Sequence, residues 1–208
     1  SPFQGMKNIR LPQRIVRPFS VEDMSILLDS CGGDEIGIRD RAMIMTLLDT
    51  GLRCSELVQI DLEDINLESK RIKVRFGKGN KQRIVPFAES CSKTLTDYLS
   101  HRGYDPGPLF YASNRHGSLG QGVGLTSSGL KHMLRRLGQK TGIKKVHAHR
   151  FRHTFATWAI EHEARELDVQ YLLGHSTSDM VRRYTSSYRS EQAAMRHINF
   201  SPADQMLA

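Results

Sequence analysis

Between Val146 and Trp158 the chain reads Val-His-Ala-His-Arg-Phe-Arg-His-Thr-Phe-Ala-Thr-Trp. At about 3.6 residues per turn, His149, Arg152, His153 and Ala156 share one side of a helix, and Phe151, Phe155 and Trp158 share the other. The aromatics would anchor such a helix while an imidazole and a guanidinium are presented together. That pair suits an oxyanion such as a phosphodiester, because arginine supplies two parallel donors and histidine moves a proton near neutral pH. His147, His149 and His153 also carry the donor atoms of a zinc site. Arg150 and Arg152 beside them repel a dication, and no carboxylate follows nearby, so no metal is expected. The plain alternative is a structural helix with solvated His and Arg.

A second group lies in Thr50-Gly-Leu-Arg53-Cys-Ser-Glu56-Leu57. It places Arg53 at the start of a short helix, where backbone N–H groups and the positive helix end also favour an anion. Glu56, one turn on, is positioned to hold the Arg53 guanidinium; an ordinary loop salt bridge is the competing reading. Lys78, in Gly77-Lys-Gly-Asn-Lys81, falls at the tip of a β turn, where an ammonium acts as a point charge or donates a proton to a leaving alkoxide. The segment lacks the GxxxxGK[ST] pattern of a phosphate-binding loop, and Gly120-Gln-Gly-Val-Gly124 is no dinucleotide fingerprint, so it reads as loop. Among the tyrosines, Tyr98 and Tyr171 sit with apolar neighbours and are expected in the core. Tyr184 follows Arg182 and Arg183, and cationic surroundings of that kind make a phenol a better nucleophile.

The elements that must position these groups follow from pattern and caps. Ser20 reads as an N-cap with Glu22 and Asp23 in the first turn and Met24, Leu27 and Leu28 on one face. A second helix is predicted over about 40–50, stopped by Gly51, and a short one over 54–60. Arg71-Ile-Lys-Val-Arg-Phe76 alternates as a half-buried strand, with Arg83-Ile-Val-Pro-Phe87 its hairpin partner. Residues 89–102 read as helix, 103–125 as a Gly/Pro-rich loop, and 126–141 as an amphipathic helix burying Leu130, Leu134 and Leu137. Helix and turn then alternate over 149–200, with stops at Gly174 and near Ser186. The fold class expected is mainly α with one small antiparallel sheet (α+β).

Charge points to a partner. The chain has 208 residues, with 30 Lys plus Arg against 22 Asp plus Glu, for a net charge of +8. Residues 69–88 contain seven bases and no acid, and residues 106–160 contain nine bases and no acid. Solvated faces usually mix signs, so this segregation indicates a surface that meets a polyanion, with nucleic acid the leading candidate. Charge alone leaves open whether the protein reads that polymer or cuts it. No apolar run suits a membrane span, and Cys31, Cys54 and Cys91 form no CxxC pair. That argues against a disulfide framework and fits a cytoplasmic protein.

Taken together and in order, TGLRCSEL, GKGNKQR, HAHRFRHTFAT, LLGH and RRYT resemble the catalytic domain of tyrosine site-specific recombinases, the phage-integrase and Xer group. The resemblance runs from about residue 12 to about residue 190. It implies a tyrosine-recombinase catalytic-domain fold and a catalytic set of Arg53, Lys78, His149, Arg152, His175 and Tyr184, with Glu56 supporting. The family's HxxR pattern falls on His149 and Arg152 rather than on His147 and Arg150. Tyr184 would be the nucleophile, nine residues after His175, with Tyr188 the competitor outside the spacing. It would form a 3′-phosphotyrosine without cofactor or metal, during integration, excision or resolution of DNA. Further DNA contacts are expected from Lys81, Arg83, Lys131, Arg135, Lys144, Lys145 and Arg150. The expected partners are double-stranded DNA and, on paired sites, further copies of the chain forming a tetramer, with a monomer otherwise and no membrane. Residues 1–19 resemble an interdomain linker remnant, 20–188 the catalytic domain, and 189–208 a tail that docks on a neighbouring protomer. An N-terminal DNA-binding domain is usual in the family, so a chain that begins at this linker reads as a catalytic-domain fragment or an unusually short member. The alternatives are a topoisomerase-like relaxing enzyme and a DNA-binding module without catalysis.

Overall fold

The computed structural model describes residues 17–75, 82–114 and 117–174, with positions 194, 197 and 206. Ser20 caps the first helix, α1 (Val21–Asp29), by accepting a hydrogen bond from the Asp23 N–H at 3.0 Å. α2 (Glu35–Thr50) begins five residues earlier than its apolar pattern indicates, because the Asp34 carboxylate accepts from the Gly37 N–H at 2.8 Å. Then come α3 (Cys54–Val58), a 3₁₀ turn (Leu62–Asp64), β1 (Ile65–Asn66), β2 (Arg71–Val74), β3 (Arg83–Pro86) and α4 (Glu89–Arg102). β4 (Tyr111–Ser113), β5 (Leu119–Gly124), α5 (Ser127–Thr141), α6 (Ala148–Glu161) and α7 (Glu166–Leu173) complete the described elements.

Among the described residues, two sheets stand where one was expected. β1, β2 and β3 form an antiparallel three-stranded sheet, with Ile72 opposite both Ile65 and Val85. In β2, Ile72 and Val74 are buried while Arg71 and Lys73 face outward, as the alternation requires. The strand stops at Val74 because Arg75 turns to Asp61, Glu63 and Asp64 on the 3₁₀ turn and its flank. The second sheet is the β4–β5 hairpin, within the stretch read as loop. β5 contains the Gly120–Gly124 run, whose composition looks irregular; its extended form comes from pairing with β4.

α2 runs through the middle, against α4 on one side and α6 on the other, and its Met43, Ile44 and Leu47 are fully buried. Leu27, Ile72, Val85, Leu95, Leu134 and Phe151 join them in one continuous core. Within that core Arg39 and Asp40 form a buried ion pair at 2.7 Å, and Arg136 of α5 meets the other Asp40 oxygen at 2.6 Å. Tyr98 is buried as expected, its phenol oxygen accepting from the Tyr111 N–H at 2.9 Å. Tyr171 is exposed on α7, contrary to the core position its neighbours suggested.

Phe19, assigned by sequence to the linker, belongs to the core. Its ring lies 4.7 Å from that of Phe151 and its N–H donates to the Thr154 hydroxyl at 2.9 Å. All three cysteines are free thiols. No described helix is long and apolar enough to cross a membrane.

Candidate active site

Two turns bring the site together, one between α2 and α3 and one ahead of α6. α2 ends at Gly51, whose φ of +60° is left-handed and whose missing side chain matters for space. A Cβ there would come within 2.5 Å of Leu173 and 2.8 Å of Phe155. The close approach sets the end of α2 against α6 and the end of α7. Two residues later Arg53 stands at the N-cap of α3, and His147 stands at the N-cap of α6. The His147 Nδ1 accepts from the Arg150 N–H at 3.1 Å, so the neutral ring carries its proton on Nε2.

Arg53, Cys54, Lys131, His147, Ala148, His149 and Arg152 line one cavity of about 330 Å³. Arg53 and Arg152, 99 positions apart, therefore share it with both imidazoles. Arg152 is buried at its back and fixed by two carbonyls: its Nη1 donates to Gly51 at 2.8 Å and its Nη2 to Leu173 at 2.7 Å. The Arg53 Nη1 donates to Glu56 Oε1 at 2.7 Å, and its backbone N–H donates to Oε2 at 2.8 Å. Burial pushes the Glu56 pKa up, but the hydrogen bonds from Arg83 and Arg53 outweigh it and hold the carboxyl down at about 2. His149 is shifted down by partial desolvation and then by the Arg152 and Arg53 guanidiniums, so it is neutral at neutral pH. His147 is shifted down by desolvation and then by His149, Arg150 and Lys145. A pocket with two guanidiniums, an ammonium and two imidazoles shifted toward their neutral forms suits an oxyanion, with the His149 imidazole able to take a proton.

The remaining expected residues divide. Arg135, Lys144 and Lys145 line a second cleft, at the C-terminal end of α5, and all three are exposed. Arg83 and Arg150, expected as DNA contacts, are engaged inside the fold. Arg150 donates to the carbonyls of Arg17, Pro18 and Lys144, pairs with Asp23 at 3.0 Å, and lies 3.9 Å over the Phe19 ring. Arg83 meets Glu56 and the Leu172 carbonyl. Lys78, Lys81, His175, Tyr184 and Tyr188 lie outside the described residues. Sequence reasoning set His147 aside with the metal reading, although its place just ahead of a helical run is an N-cap signal. Cys54, which lines the same cavity, was also missed.

A profile of the phage integrase family matches residues 18–191. The chain belongs to that family. Among curated members, it is 33% identical over 207 residues to "Tyrosine recombinase XerC" of Staphylococcus haemolyticus, covering 97% of this chain and 67% of the relative. It is 33% identical over 191 residues to "Tyrosine recombinase XerA" of Pyrococcus furiosus, covering 90% of this chain and 64% of the relative. The chain thus spans about two thirds of the length of these integrase-family relatives. Its fold matches a crystal structure of XerA recombinase with a TM-score of 0.70 and 30% identity, over 86% of this chain and 64% of that one. It also matches XerH site-specific recombinase bound to a palindromic difH substrate, with a TM-score of 0.69 and 26% identity, over 89% of this chain and 54% of that one. The family, the tyrosine-recombinase catalytic-domain fold and the reaction class of site-specific recombination expected from the sequence all hold.

Proposed function

We propose that this chain cuts and rejoins double-stranded DNA at a specific site through a covalent link to Tyr184. The observation that carries the reading is the single cavity shared by Arg53, His149 and Arg152, groups with no reason to meet unless one anion unites them. In this reading Arg53 and Arg152 hold the two non-bridging oxygens of the scissile phosphate and stabilise the charge that grows on them. The Tyr184 oxygen attacks phosphorus, forming a 3′-phosphotyrosine, and the bond to the 5′-oxygen breaks. Lys78 gives that oxygen its proton, His149 takes the phenol proton, and His175 hydrogen-bonds the phosphate. Bond energy is kept in the phosphotyrosine, so rejoining needs no nucleotide and no metal.

The same reading makes residues 20–188, with Phe19 packed into their core, the catalytic domain, and the residues before Phe19 a linker. It makes 189–208 a tail that docks on a neighbouring copy, with a tetramer on paired sites and a monomer off DNA. Lys131, Arg135, Lys144 and Lys145 would contact the DNA backbone, together with Lys81. The reaction would serve integration, excision or resolution, and it would take place in the cytoplasm.

A nicked duplex that loses a short strand on cleavage traps the covalent step. Wild-type protein is expected to form a protein–DNA adduct that survives denaturing electrophoresis and maps to Tyr184, and Tyr188→Phe is expected to form it equally. Tyr184→Phe should form less than about a thousandth as much, since no other nucleophile replaces the phenol. An undiminished adduct in Tyr184→Phe would move the nucleophile elsewhere and overturn the assignment.

A further inference from the structure

Glu56 poses a problem for a phosphate-binding arginine. Its carboxylate, 1% exposed, accepts from both the backbone and the side chain of Arg53. An isolated Arg53–Glu56 pair is electrically neutral, and its pull on a phosphate would be largely cancelled by the carboxylate beside it. The structure supplies a second guanidinium. Arg83, on β3, donates its Nη1 to Glu56 Oε1 at 2.9 Å and its Nη2 to Oε2 at 2.8 Å, a two-pronged pairing. Its Nε donates to the Leu172 carbonyl at 2.9 Å, and its side chain is only 12% exposed. Gly174, with φ at +63°, lies so close that a Cβ there would stand 3.2 Å from the Arg83 side chain.

We infer that Arg83 is a positioning residue for the phosphate pocket rather than a DNA contact: it offsets the Glu56 charge, so that Arg53 presents a net positive field, and it ties β3 and the end of α7 to the same carboxylate. This inference rests on the reaction proposed above. Glu56 fixes where the Arg53 guanidinium points, and Arg83 lets it do so without neutralising it. Two guanidiniums around one carboxylate leave one positive charge over, on the side of the cavity. Charge and geometry are separable, because lysine keeps the first and lacks the second.

The test uses the full chain and the nicked duplex, with single-turnover adduct formation at saturating DNA, affinity for intact duplex, and melting temperature measured side by side. Arg83→Gln is expected to slow adduct formation by roughly 100-fold, the scale of a misplaced phosphate ligand, while duplex affinity changes by less than about threefold because backbone contacts elsewhere dominate it. Arg83→Lys is expected to recover about tenfold of that deficit by restoring the charge. With Glu56→Gln the carboxylate charge is already gone, so adding Arg83→Gln should slow the reaction by less than about a further threefold. Arg83→Lys and Glu56→Gln carry the test if Arg83→Gln melts below the assay temperature. Affinity falling in step with rate would make Arg83 a phosphate ligand and overturn the inference, as would multiplying effects in the double variant or a lysine variant equal to wild type. A wild-type protein that forms adduct while Arg83→Gln matches it overturns the inference alone; a wild-type protein that forms none overturns the proposed reaction as well.

Discussion

His147 makes a hydrogen bond that its own protonation would break. Its Nδ1 can accept from the Arg150 N–H only while it carries no proton, and desolvation together with His149, Arg150 and Lys145 already disfavours the charged ring. Because the folded-state pKa lies below the ordinary 6.5, the unfolded chain takes up a proton as pH falls through that value while the folded chain does not. The contribution is present above that pH and is lost as pH falls toward the folded value. His149 adds a change of the same sign, from partial desolvation and then Arg152 and Arg53. The melting temperature should therefore drop between about pH 7.5 and about pH 5.5. His147→Asn keeps an N-cap acceptor that does not titrate, so its drop in thermal melts should be visibly smaller than that of the wild type, with little difference at about pH 7.5.

At the scale of elements, the joint where α2, α6 and α7 meet governs the pocket. Gly51→Ala would have to hold a left-handed φ with a side chain and push its Cβ into Leu173 and Phe155. It should destabilise the protein by about 2–4 kcal/mol in urea unfolding. It should also slow DNA cleavage beyond what unfolding explains, because the Gly51 carbonyl holds Arg152. Much of the fold and pocket is legible beforehand: glycine stops at 51 and 174, the Ser20 cap and the inward leucines of α5 are local signals, and Arg53 and Glu56 are one turn apart. What is not legible depends on distant chain. The early start of α2 is hidden by Gly37, which looks like a break but is required because a Cβ would lie 2.1 Å from the Gly32 carbonyl oxygen. β5 is hidden by its glycines, since its register comes from β4. Arg83 and Arg150 look like any other bases; the acceptors that hold them inside the fold, on Glu56, Leu172, Asp23 and the 17–18 backbone, are remote in sequence.

On the whole molecule, charge is divided between bases turned inward to hold the fold and bases left to solvent. Lys131 opens onto the pocket, and Arg135, Lys144 and Lys145 onto the cleft beyond α5. If these meet the DNA backbone, duplex affinity should fall steeply with salt. Lys131→Ala and Lys144→Ala should each flatten the slope of log affinity against log salt by roughly 0.9, the expectation when one phosphate is no longer neutralised; slopes that stay unchanged in titrations at several salt concentrations would remove these residues from the interface. One more consequence comes from the end of α7, where the Leu172 and Leu173 carbonyls are fastened by Arg83 and Arg152. Whatever loosens the last turn of α7 therefore acts on two guanidiniums at once, so a substitution there should disturb the Arg152 wall of the pocket and, through Arg83 and Glu56, the Arg53 wall together.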